Sequence, residues 1–424
     1  MAVKKVLSKQ EILKYHLGGK IGLSLLKKLE DQRDLSMAYT PGVSQVCKEI
    51  ENDPEKTFSY TSKGNLVAVV TDGTAVLGLG NIGPKAGIPV MEGKAVLFKA
   101  FAGVDGWPVP LEGVLTSEGR TDVDKVVETV KRMACMFGGI NLEDIAGPEC
   151  FEVEDRLSEE LDIPVFHDDQ WGTAIIALAA VTNYCLITKK RLKDISIVIN
   201  GAGAAGLRIA DMLKTKGASK VVICDSKGTL NPDRKDLNAH KKNHIYDTPA
   251  KTLADAMKNA DVFIGVSAAD CVSPEMVQSM ADYPAIMAMA NPNPEIAPEK
   301  VAKAMKNRKY IMATGRSDYA NQVNNVLGFP YIFRGALDVR AKKITIGMKI
   351  AAAEALAALA HESHIPEKVK KAYGRSFEFG PEYIIPKPFD PRIIQWEATA
   401  VAKAAIKDGV ARIKKVPKYE GFLA

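Results

Sequence analysis

The sequence predicts an α/β protein in which buried strands alternate with helices. Short runs such as LVAVVTD at 66–72 are continuously apolar and β-branched, which is typical of parallel strands covered on both faces. The segment 193–228 reads strand, glycine turn, helix, strand, which is the pattern of a parallel crossover unit. At 424 residues the chain is too long for one ordinary core, so we expect two substantial domains.

Composition and charge limit the classes of protein. Hydrophobic residues make up 46% and charged residues 25% of the chain, and the net charge of +6 is spread out rather than gathered into the basic stripe of a nucleic-acid-binding protein. No window offers roughly 18 uninterrupted apolar residues for a membrane helix, and the start, MAVKKVLSKQEILKYH, is too polar for a secretory signal. Six scattered cysteines without CxxC spacing favour reduced thiols. We therefore expect a cytoplasmic protein that binds small anionic molecules, with no nucleic-acid or membrane partner.

The first predicted domain covers residues 1–160. LVAVVTD and AVLFKAFAG, the latter at 95–103, are predicted to be its buried strands. TDVDKVVETVKRMACMF at 121–137 repeats apolar residues at a spacing of three and four, which predicts a helix with Thr or Asp as its cap.

The second predicted domain covers residues 161–385 and shows the regular alternation of strands and helices of an open α/β sheet. A small-residue helix is expected to start near Gly172. Further elements are a strand at 195–200, a helix at 207–216 closed by a glycine, and strands at 220–225, 261–266 and 284–290. The last segment, 386–424, is predicted to form a polar helix and a tail that packs back on the first domain.

The motif G-x-G-x-x-G occurs twice, and its context distinguishes the two copies. The copy at 201–206 follows a strand and opens a helix, which is the arrangement that binds a dinucleotide pyrophosphate. The copy at 78–83 is followed by PKAGIP, whose prolines are expected to prevent a helix, so it is predicted to be a loop. The second domain is therefore predicted to be a Rossmann-type NAD(P)-binding domain. Its predicted pyrophosphate contacts are Gly201, Ala202, Gly203, Ala204, Ala205 and Gly206.

Asp225 ends the strand that follows this motif, at the place where a carboxylate binds the adenosine ribose. A carboxylate there favours NAD and repels the 2′-phosphate of NADP. Ser226 and Lys227 could bind that phosphate if Asp225 turned away, so NADP remains possible.

Two acidic pairs follow short apolar runs. One is Glu143-Asp144 in GGINLEDIAGPECF, and the other is Asp168-Asp169 in VFHDDQWGTA. Converging carboxylates would suit Mg²⁺ or Mn²⁺, which take oxygen ligands, while helix caps are an equally good interpretation of both pairs. Because adjacent side chains diverge on a regular element, we expect only one of Asp168 and Asp169 to be a direct ligand.

Several long motifs, in the same order, resemble those of malic enzyme in its smaller bacterial subclass, without the phosphotransacetylase-like domain of longer relatives. They are VVTDGTAVLGLGNIG, GIPVMEGKAVLFKAFAG, NLEDIAGPECF, VFHDDQWGTAIIALAA and GRSDYANQVNNVLGFP. The resemblance implies oxidative decarboxylation of L-malate to pyruvate and CO₂, with NAD(P)⁺ and Mg²⁺ or Mn²⁺. It also implies a homodimer paired through the N-terminal domain and an active site in the cleft between the domains.

The resemblance assigns roles by position. It implies metal ligands at Glu143, Asp144 and Asp169 with Asp168 beside them, a general base at Lys94, a general acid at Tyr39, and contacts to malate and nicotinamide from Asn291 and Asn325. A lysine base must be neutral, and a nearby divalent cation in a closed cleft is expected to lower its pKa.

Two positions depart from the family pattern. Thr74-Ala75 stands where the large eukaryotic subclass has an arginine that grips a malate carboxylate, and Trp171 occupies a place that is usually polar. Two alternative functions stay open at this point. One is an amino-acid-type or other 2-hydroxy-acid dehydrogenase that does not decarboxylate, and the other is a dinucleotide-sensing regulator without catalysis.

Overall fold

The computed structural model describes residues 7–76, 78–316 and 318–419. The strands are β1 (Leu66–Thr71), β2 (Asp105–Pro110), β3 (Gly139–Leu142), β4 (Val165–His167), β5 (Ser196–Asn200), β6 (Lys220–Asp225), β7 (Gly228–Thr229), β8 (Val262–Gly265), β9 (Ala285–Ala288), β10 (Ile311–Thr314) and β11 (Asn321–Gln322). The helices are α1 (Lys9–His16), α2 (Gln32–Ala38), α3 (Val43–Asn52), α4 (Thr57–Tyr60), α5 (Gly83–Ala102), α6 (Val123–Met133), α7 (Glu149–Glu160), α8 (Asp168–Thr188), α9 (Ala204–Thr215), α10 (Ala239–Lys242), α11 (Leu253–Met257), α12 (Pro274–Gln278), α13 (Pro298–Ala304), α14 (Phe329–Asp338), α15 (Ile346–Leu359), α16 (Glu367–Tyr373) and α17 (Thr399–Lys407).

The strands form two sheets, which confirms the predicted α/β class. The first sheet has the order β2-β1-β3-β4 and is parallel throughout. The second has the order β11-β10-β9-β8-β5-β6-β7, and there β7 pairs antiparallel with β6 while the other strands are parallel. The chain leaves β5 toward β6 on one side and later returns to β8 on the other. In open α/β sheets ligands bind at such a reversal, outside the carboxyl ends of the strands.

Most of the strand predictions are confirmed. β1, β5, β6, β8 and β9 each lie within the predicted apolar run, and apart from their first or last residue they are buried. The helix predicted at 121–137 is α6, and its cap is Asp122, whose side chain accepts from the Lys125 N–H. Val126, Val127 and Val130 form its buried face.

The strand predicted at 95–103 is wrong, because those residues lie in α5. This helix begins directly after the first glycine motif, so the expectation that PKAGIP cannot open a helix is also wrong. Pro84 stands in the first turn, where the missing N–H costs no hydrogen bond, while Pro89 removes one bond from the interior. The compensation is a buried apolar face at helical spacing, formed by Met91, Ala95, Phe98 and Ala102. Residues 78–80 before the helix do form a turn, in which the Gly80 N–H donates to the Val76 carbonyl.

The longest helix, α8, lies at the centre of the molecule. It starts at Asp168, four residues before the predicted start, and it packs against α9 and α15. By length and composition it is the one helix among the described residues that could cross a membrane, but 72% of its apolar window is buried inside the protein. Its apolar character is therefore that of a core helix.

A cluster of aromatic rings forms the junction between α5 and α14. The Phe98 ring on α5 meets the rings of Phe329 and Phe333 on α14 edge to face, with centroids 4.8 and 5.3 Å apart. All three side chains are fully buried. At the other end of the chain, Arg412 pairs with the carboxylates of Glu55, in the first predicted domain, and of Asp162, at the start of the second.

Phe98→Ala is expected to lower the free energy of unfolding by about 3–5 kcal/mol, because it removes the central ring of this cluster and leaves a cavity. Chemical denaturation measures the change. Phe389→Ala is the matched control, since this ring is 54% exposed, and it is expected to cost less than about 1 kcal/mol. Equal losses in the two variants would contradict the assignment of Phe98 to the junction.

Candidate active site

The two acidic pairs converge because they follow neighbouring parallel strands. Glu143 and Asp144 come directly after β3, and Asp168 and Asp169 come directly after β4, which pairs with β3. Carboxylate oxygens of Glu143, Asp144 and Asp169 all lie within 4.8 Å of one another. The structure thus brings together the three side chains that were predicted to bind a metal.

Lys94 of α5 reaches into this acidic cluster. Its Nζ lies 2.6 Å from Asp168 Oδ2 and 2.8 Å from Glu143 Oε1, and it sits 4.2 Å from the centre of the Phe329 ring. The side chain is only 7% exposed. The Asn325 amide donates a hydrogen bond to the same Asp168 oxygen that Lys94 contacts. Asp168 therefore holds Lys94 and Asn325 beside the other carboxylates.

The backbone around Asp144 fixes the position of the cluster. Asp144 has a left-handed backbone with φ of 54°, and its N–H donates to Asp169 Oδ2 at 2.8 Å. Its carbonyl accepts from the Ala75 N–H at 2.9 Å. The Thr74 hydroxyl accepts from the Ala146 N–H and donates to a carboxylate oxygen of the buried Asp72. Thr74 and Ala75 thus form hydrogen bonds that hold the loop carrying Glu143 and Asp144 in place. They stand at the position where the resemblance puts an arginine in the large eukaryotic subclass.

The carboxylates around Lys94 determine its charge state. Burial by itself lowers the pKa of Lys94, but the adjacent carboxylates of Asp168 and Glu143 outweigh burial and raise this pKa well above its ordinary value. The expected lowering of this pKa concerns the protein with a cation bound, and it stays a prediction.

The same cluster holds more negative charge than its lysine can neutralise. Burial is the main cause that raises the pKa values of Glu143, Asp168 and Asp169, and repulsion from neighbouring carboxylates adds to it for Glu143 and Asp168. The neighbouring His167 cannot help, because burial lowers its pKa to about 4. Asp168 Oδ1 is buried without a hydrogen-bond partner among the described residues. Oxygen donors, excess charge and close spacing fit a hard divalent cation held by Glu143, Asp144 and Asp169.

Apart from the carboxylate cluster, a cavity of about 700 Å³ lies at the carboxyl ends of β5 and β6, beside the N-terminus of α9. The glycine motif forms one wall. Gly201 has φ of 121°, and a Cβ at Gly206 would lie 1.8 Å from the Gly201 carbonyl oxygen, so larger residues are excluded at both positions. The cavity is lined by Asn200, Gly201, Ala202, Gly203, Asp225, Ser226, Lys227, Gly228, Lys241, Thr252, Leu253, Ser267, Ala268 and Cys271. Its shape and position suit a dinucleotide.

Asp225 lies at the rim of this cavity and is already paired. Its carboxylate accepts two hydrogen bonds from the Arg234 guanidinium, at 3.0 and 3.1 Å, and one from Lys241 at 2.8 Å. Burial alone would raise the pKa of Asp225, but these hydrogen bonds lower it to about 2. The aspartate therefore stands in a basic environment, which sequence spacing alone did not reveal.

Two predicted site residues lie apart from the Lys94 cluster. Tyr39 ends α2 with its side chain 70% exposed, and among the described residues no hydrogen bond joins it to Lys94. Asn291 is exposed just after β9, where its amide contacts the Met289 carbonyl at 3.4 Å. Asn325, by contrast, is part of the cluster.

The structure also gives Trp171 a role that the sequence left unexplained. Its indole N–H donates to Glu154 of α7 at 2.9 Å, and its ring faces the cations of Lys349 and Arg208 at 3.3 and 4.6 Å from the ring centre. These partners lie 17 to 178 residues away in sequence, so no local pattern could indicate them.

Comparisons with known proteins agree with this geometry. Residues 18–158 match the family model for the malic enzyme N-terminal domain, and residues 171–371 match that for the malic enzyme NAD binding domain. A probable NADP-dependent malic enzyme of Rickettsia prowazekii is 52% identical over 97% of this chain and 53% of its own length. A bifunctional malic/malolactic enzyme of Bacillus subtilis is 51% identical over 94% of this chain and 93% of its own length.

The solved structures agree as well. A crystal structure of malic enzyme from Pyrococcus horikoshii, 43% identical, superposes with a TM-score of 0.86 and covers 96% of this chain and 92% of its own. The chain spans about half the length of several curated relatives that it matches, including the first named here. Both domain models, these identities and the shared fold lead to one conclusion: the chain belongs to the malic enzyme family.

Proposed function

We propose that this protein oxidises and decarboxylates L-malate to pyruvate and CO₂, reducing NAD(P)⁺ with the help of Mg²⁺ or Mn²⁺. The observation that carries the proposal is the contact of Lys94 with Glu143 and Asp168, two members of a largely buried cluster of four carboxylates, of which Glu143, Asp144 and Asp169 are spaced to bind one cation. Neither a dehydrogenase without a metal nor a regulator without catalysis requires such a cluster. Neither alternative is supported by any other feature of the site.

Glu143, Asp144 and Asp169 would hold the cation. When bound, a divalent cation supplies positive charge that polarises the C2 oxygen of the substrate and offsets the carboxylates around Lys94. The residues of the chain then have defined tasks. Asp168 and Asn325 orient Lys94, and Lys94 accepts the C2 hydroxyl proton as hydride leaves C2 for the nicotinamide. Tyr39 returns a proton to C3 once CO₂ has left, and Asn291 and Asn325 contact malate and the nicotinamide end.

NADP is the coenzyme that the basic rim favours. The expectation of NAD depended on an unpaired Asp225, but this carboxylate is occupied by Arg234 and Lys241. Lys227 also lines the cavity. These three cations pair with two aspartates, Asp225 and Asp236, which leaves a net positive charge for the 2′-phosphate. Arg234 and Lys241 can then pair with this phosphate in place of Asp225.

The active unit is a homodimer in the cytoplasm. Apolar side chains of the N-terminal segment are largely exposed, for example Leu23 at 90%, Leu25 at 82% and Leu26 at 80%. An exposed apolar surface of this extent indicates a protein interface. Tyr39 follows this segment with its side chain 70% exposed and, among the described residues, without a hydrogen bond to Lys94 of its own chain. We infer that in the dimer Tyr39 of the partner subunit completes the site.

The activity is tested with L-malate, either coenzyme and Mn²⁺. Pyruvate, CO₂ and reduced coenzyme are expected in equal amounts, and EDTA is expected to abolish turnover. Lys94→Ala should lower kcat by about 10³-fold without changing the coenzyme Kd, because only the proton acceptor is lost. Lys99→Ala, an exposed lysine on the same helix, is the control. Turnover that survives EDTA, or near-normal turnover in Lys94→Ala, would contradict the proposal.

The coenzyme assignment is tested with Lys241→Ala. Losing this cation should raise KM for NADP by about tenfold or more and leave KM for NAD within about twofold, because only NADP carries the 2′-phosphate. The neighbouring exposed Lys242→Ala serves as control. A wild type that prefers NAD, or a Lys241→Ala variant that affects both coenzymes equally, would refute the assignment.

Subunit sharing is tested by mixing two inactive variants, Tyr39→Phe and Lys94→Ala, and allowing their subunits to exchange. If Tyr39 acts across the interface, each mixed dimer has one complete site, and an equal mixture recovers about one quarter of the wild-type activity. If Tyr39 serves its own subunit, every site lacks one group and the mixture stays inactive. Lys94→Ala mixed with the double variant is the negative control.

A further inference from the structure

The turn between β4 and α8 carries Asp168 and Asp169, and a buried carboxylate holds this turn on both sides. Glu154 of α7 is 4% exposed. Its Oε1 accepts from the His167 N–H at 3.1 Å, immediately before the acidic pair. Its Oε2 accepts from the Trp171 indole N–H at 2.9 Å, two residues after the pair. Because both oxygens are in use, the turn cannot rotate without breaking one of these bonds.

Two cations hold the Trp171 ring in place. Lys349 Nζ of α15 lies 3.3 Å from the ring centre, and the Arg208 guanidinium of α9 lies 4.6 Å from it. Lys349 is buried and Arg208 is partly buried, and contacts between a cation and an aromatic ring are stronger in such places than in water. Arg208 also donates to the Gln170 side chain at 2.9 Å. Side chains from α7, α9 and α15 therefore all contact the turn between β4 and α8.

These groups contact residues just before and just after the acidic pair: Glu154 contacts His167 and Trp171, and Arg208 contacts Gln170. Asp169 itself accepts a hydrogen bond from the Asp144 N–H. A cation binds most tightly when its carboxylate ligands already have the orientation that the bound state needs. Ordering a carboxylate only upon binding costs free energy and lowers the affinity for the cation.

We infer that Glu154 and Trp171, with Lys349 and Arg208 packed on the indole, are positioning residues that aim Asp169 and thereby set the affinity for the divalent cation. The inference rests on the proposed metal site. The indole suits this position because it combines a donor for Glu154 with a ring face for two cations.

The test measures Mn²⁺ binding directly, by the electron paramagnetic resonance signal of the free ion, on the full chain without substrate. Trp171→Phe keeps a ring but removes the donor, and Glu154→Gln leaves one of two donors without an acceptor. Each is expected to raise the Mn²⁺ Kd by about tenfold, within the range found when partners of metal ligands are lost. The coenzyme Kd, from nucleotide fluorescence, should stay within about twofold.

Two controls separate positioning from general stability. Tyr184→Phe removes a buried donor from the far end of the same helix, where the hydroxyl contacts the Tyr283 carbonyl at 3.2 Å. Glu152→Gln changes an exposed acid on the same helix as Glu154. Both should leave Mn²⁺ affinity unchanged, even where Tyr184→Phe lowers the unfolding midpoint.

The outcomes distinguish this inference from the function on which it rests. Unchanged Mn²⁺ affinity in Trp171→Phe and Glu154→Gln, with tight binding by the wild type, would overturn the positioning role alone. An equal loss in Tyr184→Phe would also overturn it, because the effect would then be one of stability. Absence of saturable Mn²⁺ binding by the wild type would overturn both the metal site and its positioning residues.

Discussion

The buried contact of Lys94 with Asp168 and Glu143 is the interaction on which the rest of the structure depends. Taking an ion out of water costs several kcal/mol unless a partner of opposite charge lies close, and here four carboxylates share one ammonium group. Burial raises the pKa values of the acids, whereas the carboxylates beside Lys94 outweigh burial and raise the pKa of the lysine. A divalent cation held by these acids would offset their charge and oppose the proton on Lys94.

The fold brings these charges together through the ends of parallel strands. β3 and β4 are neighbours, so the residues that follow them lie side by side, and α5 runs across the same sheet to deliver Lys94. α8 begins at the acidic pair and continues into the core beside the second sheet, so one helix joins the carboxylate cluster to the NAD-binding domain. Arg208, on the helix that follows the glycine motif, contacts the ring of Trp171 near the start of α8.

The sequence was sufficient for those features that local pattern controls. Uninterrupted β-branched runs predicted β1, β5 and β6, because strands buried on both faces need no polar alternation. The helix at 83–102 was not predicted, because its two prolines argue against a helix. The helical spacing of Met91, Ala95, Phe98 and Ala102 was the signal in its favour. The basic partners of Asp225 lie 9 and 16 residues later, one in a loop and one in the short helix α10, and those of Trp171 lie on three separate helices, so neither environment had a local signal. Pairings set by tertiary contacts cannot be read from spacing, and they determine the pKa values of Lys94 and Asp225.

The most direct measurement is a crystal structure of the protein grown with Mn²⁺, using the anomalous scattering of manganese to locate the ion. The account predicts one strong anomalous peak within bonding distance of a carboxylate oxygen from each of Glu143, Asp144 and Asp169, with Asp168 still bound to Lys94. A map with no peak among these three side chains, or with manganese held elsewhere, would contradict it.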